Sequence, residues 1–261
     1  MSFNFPLILL SLTVFSGAVC LMDYIWEKVS PSGRSSLPLV VDYSRSFFLV
    51  LLLVLVLRSF IIQPYRVPTG SLEPTIMPGD FILVKQYEYG MRLPVWDHEV
   101  VAVNQPKRGQ IALFHDPVNW TLNFVKRVVG VPGDDISYIN KVFFINGKEM
   151  KQSFVKKGYD IEPGQDSTPV KVMQENLMGV KHEILINTAR PSADFYHLRI
   201  PKGYYMMVGD NRDNSDDSRY WGLVPEQNFI GQAFMVWMSW NNEASWSNKI
   251  RWHRIGNKFY T

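Results

Sequence analysis

The hydrophobic positions of this chain form two long continuous runs, followed by many short segments broken by polar residues. From Phe5 to Met22 no charge interrupts the apolar sequence, which predicts a membrane-spanning helix. A second run, Phe47 to Leu57, resumes after Arg58 with Phe60, Ile61 and Ile62. At ~1.5 Å per residue it covers roughly 24 Å, slightly less than a hydrocarbon core. Arg58, near its end, can reach back to the interface with its guanidinium. Beyond Gln63 the apolar segments shorten and Gly, Pro, Asn and Asp separate them, which is the pattern of β-strands. Strands are predicted at Phe81–Val84, Gln110–Phe114, Asn123–Val129, Ile184–Ile186, Tyr204–Val208 and Phe229–Trp240. Between Lys141 and Met150 the pair Asn146-Gly147 predicts a hairpin turn. No long helical periodicity follows the second run, so the fold class is a mainly β domain behind two N-terminal transmembrane helices.

This reading divides the chain into a first transmembrane helix with its N-terminus (1–22), a polar loop (23–45) and a second transmembrane helix (46–62). A β domain (63–151 and 198–261) follows, interrupted by a more polar insertion or cap with its own small sheet (152–197). Lys28, Arg34 and Arg45 lie between the two runs and nothing basic precedes the first. The positive-inside bias then puts the loop in the cytoplasm and the β domain on the exported side. The missing basic n-region also favours a retained anchor over a cleavable leader.

Net charge is +3 and no dense Lys/Arg cluster occurs, so nucleic acid is not an expected partner. The single cysteine, Cys20, lies in the first apolar run, so no intrachain disulfide can form and the exported domain must hold by packing. None of His98, His115, His182, His197 and His253 stands in a motif with a serine and an acid. No His-Glu-x-x-His occurs, and neither a metal nor a cofactor is expected.

Three segments carry candidate chemistry. Pro68-Thr69-Gly70-Ser71-Leu72-Glu73-Pro74-Thr75 is punctuated by residues that fix or free the backbone, and so makes a rigid turn that presents Ser71. In Phe124-Val125-Lys126-Arg127-Val128-Val129 the strand period puts Lys126 on one face with Phe124 and Val128, and Arg127 on the other. A serine needs a base to take its proton, and a lysine can serve only if apolar surroundings keep its amine neutral. The third segment, Gly209 to Gly222, concentrates acids, arginines, amides and hydroxyls beside an apolar strand. Taken alone it reads as a solvated turn.

In this order, behind membrane anchors, the three segments resemble the conserved boxes of bacterial type I signal peptidases, membrane-bound Ser/Lys proteases. The resemblance implies a signal-peptidase-like β fold and cleavage of signal peptides from exported preproteins at Ala-x-Ala-like sites. It makes Ser71 the nucleophile and Lys126 the general base, with the Thr69 hydroxyl and the Ser71 N–H as oxyanion hole. Ser215 would orient the lysine, Asp217 and Arg219 would form a supporting ion pair, and Asp210 would pair with Arg127. Val67, Leu72, Phe124 and Val125 would line the pockets for small side chains; Leu72 stands where methionine is usual, a change that nearly conserves volume. The implied setting is the inner membrane with the catalytic domain facing the periplasm, and the implied partners are preprotein signal peptides and the lipid bilayer. A self-cleaving repressor-type Ser/Lys peptidase would carry a DNA-binding helix-turn-helix where this chain has its apolar runs. A non-catalytic β module that binds exported proteins would have no use for a lysine on an apolar face.

Overall fold

The computed structural model describes residues 5–29, 38–92, 99–160, 167–242 and 244–259. The chain divides into two compact units, one comprising Met1–Gln63 with Met91–Ala102, the other Pro64–Gly90 with Val103–Thr261.

In the first unit, helix α1 (Phe5–Val29) packs on helix α2 (Leu39–Val56), which closes with a π turn, Leu57–Ile61. Both are long and apolar enough to cross a membrane by length and composition. The helices run further than the apolar stretches: α1 continues through Asp23-Tyr24-Ile25-Trp26-Glu27-Lys28, and α2 begins right after Pro38. Both extensions carry charged residues that pair across the two helices, Arg45 bonding Asp23 and, at 2.8 Å, Glu27. Interhelical charge pairing therefore carries helix into the segment that hydropathy assigns to a loop.

The remaining strands, in chain order, are β1 (Ile62–Arg66), β2 (Asp80–Lys85), β3 (Gly90–Arg92), β4 (Glu99–Ala102), β5 (Ile111–His115), β6 (Asn123–Gly130), β7 (Asp135–Ile139) and β8 (Val142–Ile145). They continue with β9 (Lys148–Glu149), β10 (Gln152–Asp160), β11 (Thr168–Leu177), β12 (Val180–Ile186), β13 (Phe195–Arg199), β14 (Tyr204–Val208), β15 (Val224–Pro225) and β16 (Phe229–Ser239). A short helix, α3 (Ser218–Trp221), stands before β15. The main sheet has seven strands in the order β1-β2-β16-β5-β6-β14-β15. Its central strands are buried on both faces, β5 completely. Ile111 and Leu113 pack with Ile82, Val84 and Ile230, while Ala112 and Phe114 pack with Val128, Tyr205 and Phe229.

Two smaller sheets complete the second unit. One, in the order β13-β7-β8-β9, surrounds a core of Ile136, Tyr138, Phe143 and Ile145. Its β8–β9 turn is the Asn146-Gly147 pair, with φ of 52° and 75°, the left-handed geometry that asparagine and glycine tolerate. The other is the β10-β11-β12 sheet, within the polar stretch after Lys151. Phe195–Arg199 leaves that stretch and joins β7.

Candidate active site

The strand register of β6 sets the geometry. Lys126 pairs with Ala112 and Arg127 with Ile111 of β5, so two adjacent cations leave the strand on opposite sides. Lys126 is 4% exposed, and its Nζ donates to Ser215 Oγ at 3.0 Å and lies 6.0 Å from the centre of the Phe124 ring. Burial pulls this amine down from its ordinary value to about 8, against the opposing pull of the Asp217 and Asp216 carboxylates. The lysine is still mostly charged at neutral pH, but it loses its proton far more readily than an ordinary lysine.

Arg127 remains a cation with every direction filled. Its Nε and Nη2 donate to the two carboxylate oxygens of Asp210, each at 2.7 Å, and its Nη1 donates to the Gly109 carbonyl at 2.7 Å. Burial alone would push the Asp210 carboxyl up, but the Arg127 guanidinium together with the carboxylate's other partners, the Thr75 hydroxyl among them, keeps the group below its ordinary value. The Thr75 hydroxyl donates to the same carboxylate at 2.6 Å, which fastens the serine turn to β6.

The segment after β14 provides the other wall. Asp217 accepts from Arg219 Nε and Nη2, both at 2.8 Å, and from the Gly209 N–H at 3.0 Å. It also caps α3 by accepting from the Arg219 N–H. Ser218 Oγ accepts from the Met207 N–H at 2.9 Å, tying this loop to β14. Gly209 has no substitute here, because a Cβ would lie 2.3 Å from both Ser215 Oγ and the Ser71 carbonyl oxygen. The serine turn and the loop of Ser215 thus touch through bare backbone.

Thr69, Ser71, Lys126 and Ser215 line one cleft of about 570 Å³, with Val67, Phe124 and Val125 among its apolar walls. Leu122, Leu113 and Tyr65 add to those walls, and Asn214, Asp216 and Arg66 supply polar edges. Leu72 is not there. It is 1% exposed and packs with Ile76, Ile82 and Val84 beneath the turn, where the Ile76 N–H bonds the Leu72 carbonyl. Among the described residues no cluster of His, Cys, Asp or Glu could hold a metal ion.

The family model for signal peptidase, peptidase S26, matches residues 40–240, most of the chain and all of this geometry. This chain belongs to the signal peptidase family. It is 40% identical to Signal peptidase I of Pseudomonas fluorescens across 98% of this chain and 99% of that one. Signal peptidase I of Pseudomonas aeruginosa is 38% identical over the same shares. That of Buchnera aphidicola subsp. Schizaphis graminum is 34% identical across 95% of this chain and 97% of its own.

For this signal peptidase family member, sequence reasoning missed several residues that hold the site together. Thr75 is one, since its hydroxyl looks like an ordinary turn residue until Asp210 is seen beside it. Asn211 is another: its N–H donates to the Ser71 carbonyl at 3.1 Å and its amide to the Gly70 carbonyl at 3.2 Å. Arg212, 1% exposed, is bonded by Nη1 at 2.8 Å and by Nη2 to the fully buried Glu175 of β11. The only sequence signal for these was the density of polar residues after β14, which names one partner of each pair and not the other.

Proposed function

We propose that this protein is a membrane-anchored serine endopeptidase that removes signal peptides from exported preproteins, with Ser71 as nucleophile and Lys126 as general base. The observation that carries the reading is a buried amine, lining the same cleft as Ser71 and bonded to Ser215 Oγ at 3.0 Å, whose burial lowers its proton affinity. Neutral Lys126 takes the hydroxyl proton as Ser71 Oγ attacks the scissile carbonyl. The Ser71 N–H and the Thr69 hydroxyl receive the oxyanion. As the C–N bond breaks, the Lys126 ammonium returns its proton to the departing amine, the new N-terminus of the mature protein. A water, deprotonated by the same amine, then attacks the Ser71 ester, and the ammonium returns that proton to Ser71 Oγ as the signal peptide leaves with its new carboxylate. Arg127 cannot take this part, because a guanidinium does not deprotonate in proteins.

The walls contributed by Val67, Phe124 and Val125 are apolar and belong to the body of the sheet. Such pockets favour Ala-like residues at the first and third positions before the cut and resist bulkier ones, since enlarging them means moving a strand. The basic residues Lys28, Arg34 and Arg45 favour an orientation with the inter-helix segment in the cytoplasm, two spans, and the catalytic unit in the periplasm beside the bilayer from which its substrates emerge.

The test is to incubate the detergent-solubilised chain with a preprotein and read the new N-terminus by mass spectrometry. A single cut after an Ala-x-Ala sequence, abolished in Ser71→Ala and in a substrate carrying Phe at the first position, is the expected result. Equal cutting of Ala and Phe substrates would remove the pocket reading, and cutting by Ser71→Ala would remove the nucleophile. Protease added to spheroplasts should digest the part after Gln63 and spare the segment between the helices; the converse pattern would reverse the orientation.

A further inference from the structure

The β10-β11-β12 sheet comes close to the catalytic loop at a carboxylate with no part in the chemistry described above. Asp160, the last residue of β10, is 9% exposed and divides its two oxygens between two amides. Oδ1 accepts from Asn211 Nδ2 at 2.9 Å, and Oδ2 accepts from Asn214 Nδ2 at 2.9 Å. Asn211, 1% exposed, passes the constraint on, because the same Nδ2 donates to the Gly70 carbonyl and its N–H to the Ser71 carbonyl. Asn214 is a wall of the cleft. Lateral support comes from the same sheet: the Leu185 N–H donates to the Asp210 carbonyl, the Arg212 N–H donates to the Leu185 carbonyl, and Glu175 holds Arg212.

We infer that Asp160 is a positioning residue, fixing the carbonyls on either side of the nucleophile's backbone through Asn211 and the cleft wall through Asn214, so that the inserted sheet is a working part of the active site. The inference rests on Ser71 being the nucleophile. An amide with two acceptors can settle on either, and the carboxylate bond is the stronger of the two. Without Asp160 the Asn211 side chain keeps, among the described residues, the Gly70 carbonyl to set its rotamer, and the serine turn loses a side-chain brace that fastens it to this sheet. Since a displacement of about 1 Å at a reacting atom can cost on the order of a hundred-fold, the effect falls on turnover.

The experiment compares steady-state kcat and KM for preprotein cleavage by the full-length chain in detergent, with thermal unfolding measured on every variant. In Asp160→Ala, kcat should fall about ten-fold or more, the size expected for losing a hydrogen bond to a charged group. Asn211→Ala should lower kcat similarly, while Asn214→Ala should act on KM. The double variant Asp160→Ala with Asn211→Ala should have the kcat of Asn211→Ala to within about two-fold, because the two residues act as one unit. Losses in kcat that multiply instead, or a lowered unfolding temperature with kcat intact, would make Asp160 a stability residue only and overturn the inference. If Asp160→Ala does not fold, Asp160→Asn decides: it retains one acceptor oxygen and turns an NH2 toward the other amide, so unchanged kcat and KM would overturn the inference as well. Ser71→Ala runs alongside. If it still cleaves, the nucleophile assignment fails; if it is dead while Asp160→Ala is as fast as wild type, only the positioning role fails.

Discussion

Replacing Lys126 by methionine should make the protein inactive and, at neutral pH, harder to unfold. The unfolded chain holds a lysine proton up to about 10.5, whereas the folded chain releases it near 8. Below 8 both states are protonated and the fold bears the full cost of a charged amine at a site 4% exposed. Between those values the unfolded state binds more protons than the folded one, so stability rises with pH, and above 10.5 the penalty is gone. The difference is worth about 3 kcal/mol at pH 7. Methionine fills a similar volume without a charge, so Lys126→Met should recover most of that amount, less the bond to Ser215. Thermal unfolding of the full chain in detergent, followed by fluorescence of its eight tryptophans, reads this directly. The variant should melt several degrees above wild type at pH 7, and the gap should shrink steadily toward pH 10.5. A variant no more stable than wild type at pH 7, or a gap independent of pH, would refute the claim that a desolvated amine sits at this position.

The wild-type rate should rise with pH and level off just above 8, and Lys126→Arg should show no turnover at any pH, as measured by initial rates of preprotein cleavage. Burial lowers the Lys126 amine and Asp217 partly restores it, so Asp217→Asn should move the rising limb of that profile to lower pH; a move to higher pH would contradict the electrostatics. Arg127→Lys replaces a paired fork by a single ammonium against the buried Asp210, and chemical denaturation should show a loss of roughly 3–5 kcal/mol if the pairing fails completely, less if the ammonium reaches one oxygen. Gly209→Ala should abolish cleavage, since its methyl overlaps Ser215 Oγ and the Ser71 carbonyl; near-wild-type activity would mean the two loops are not in contact.

Where a residue's position follows from its immediate neighbours, the sequence was a sound guide. Alternation along β6 separates Lys126 from Arg127, and the Asn146-Gly147 turn appears where its φ preferences put it. Long-range electrostatics were not legible in this way. β10 has almost no apolar pattern, its middle being Phe154 to Lys157 with every side chain exposed, and it is held by its ladder to β11. Glu175 is fully buried in β11, a place no acidic residue would be assigned without its partner Arg212, which lies 37 residues further on. Leu72 shows a different limit. Adjacency to Ser71 suggests a pocket, whereas the packing of its buried side chain with Ile76, Ile82 and Val84 depends on the fold of the turn and could not be read from the sequence. The ends of α1 and α2 exceed their hydropathy for a similar cause, since Asp23 and Glu27 find Arg45 only when two helices lie side by side.

The neighbouring cations of β6 make folding accuracy and catalytic competence a single property. A slip of one residue against β5 would exchange the sides on which Lys126 and Arg127 emerge. The slipped strand would offer the cleft a guanidinium that never gives up its proton, and would leave Asp210 facing an amine too short to fork. Each error is costly in the same place, so the sheet has a strong reason to reject the wrong alignment before any substrate arrives. Arg127 thereby acts as a proofreader of assembly: by filling Asp210 on one side of the strand, it fixes Lys126, the base of the proposed mechanism, on the other.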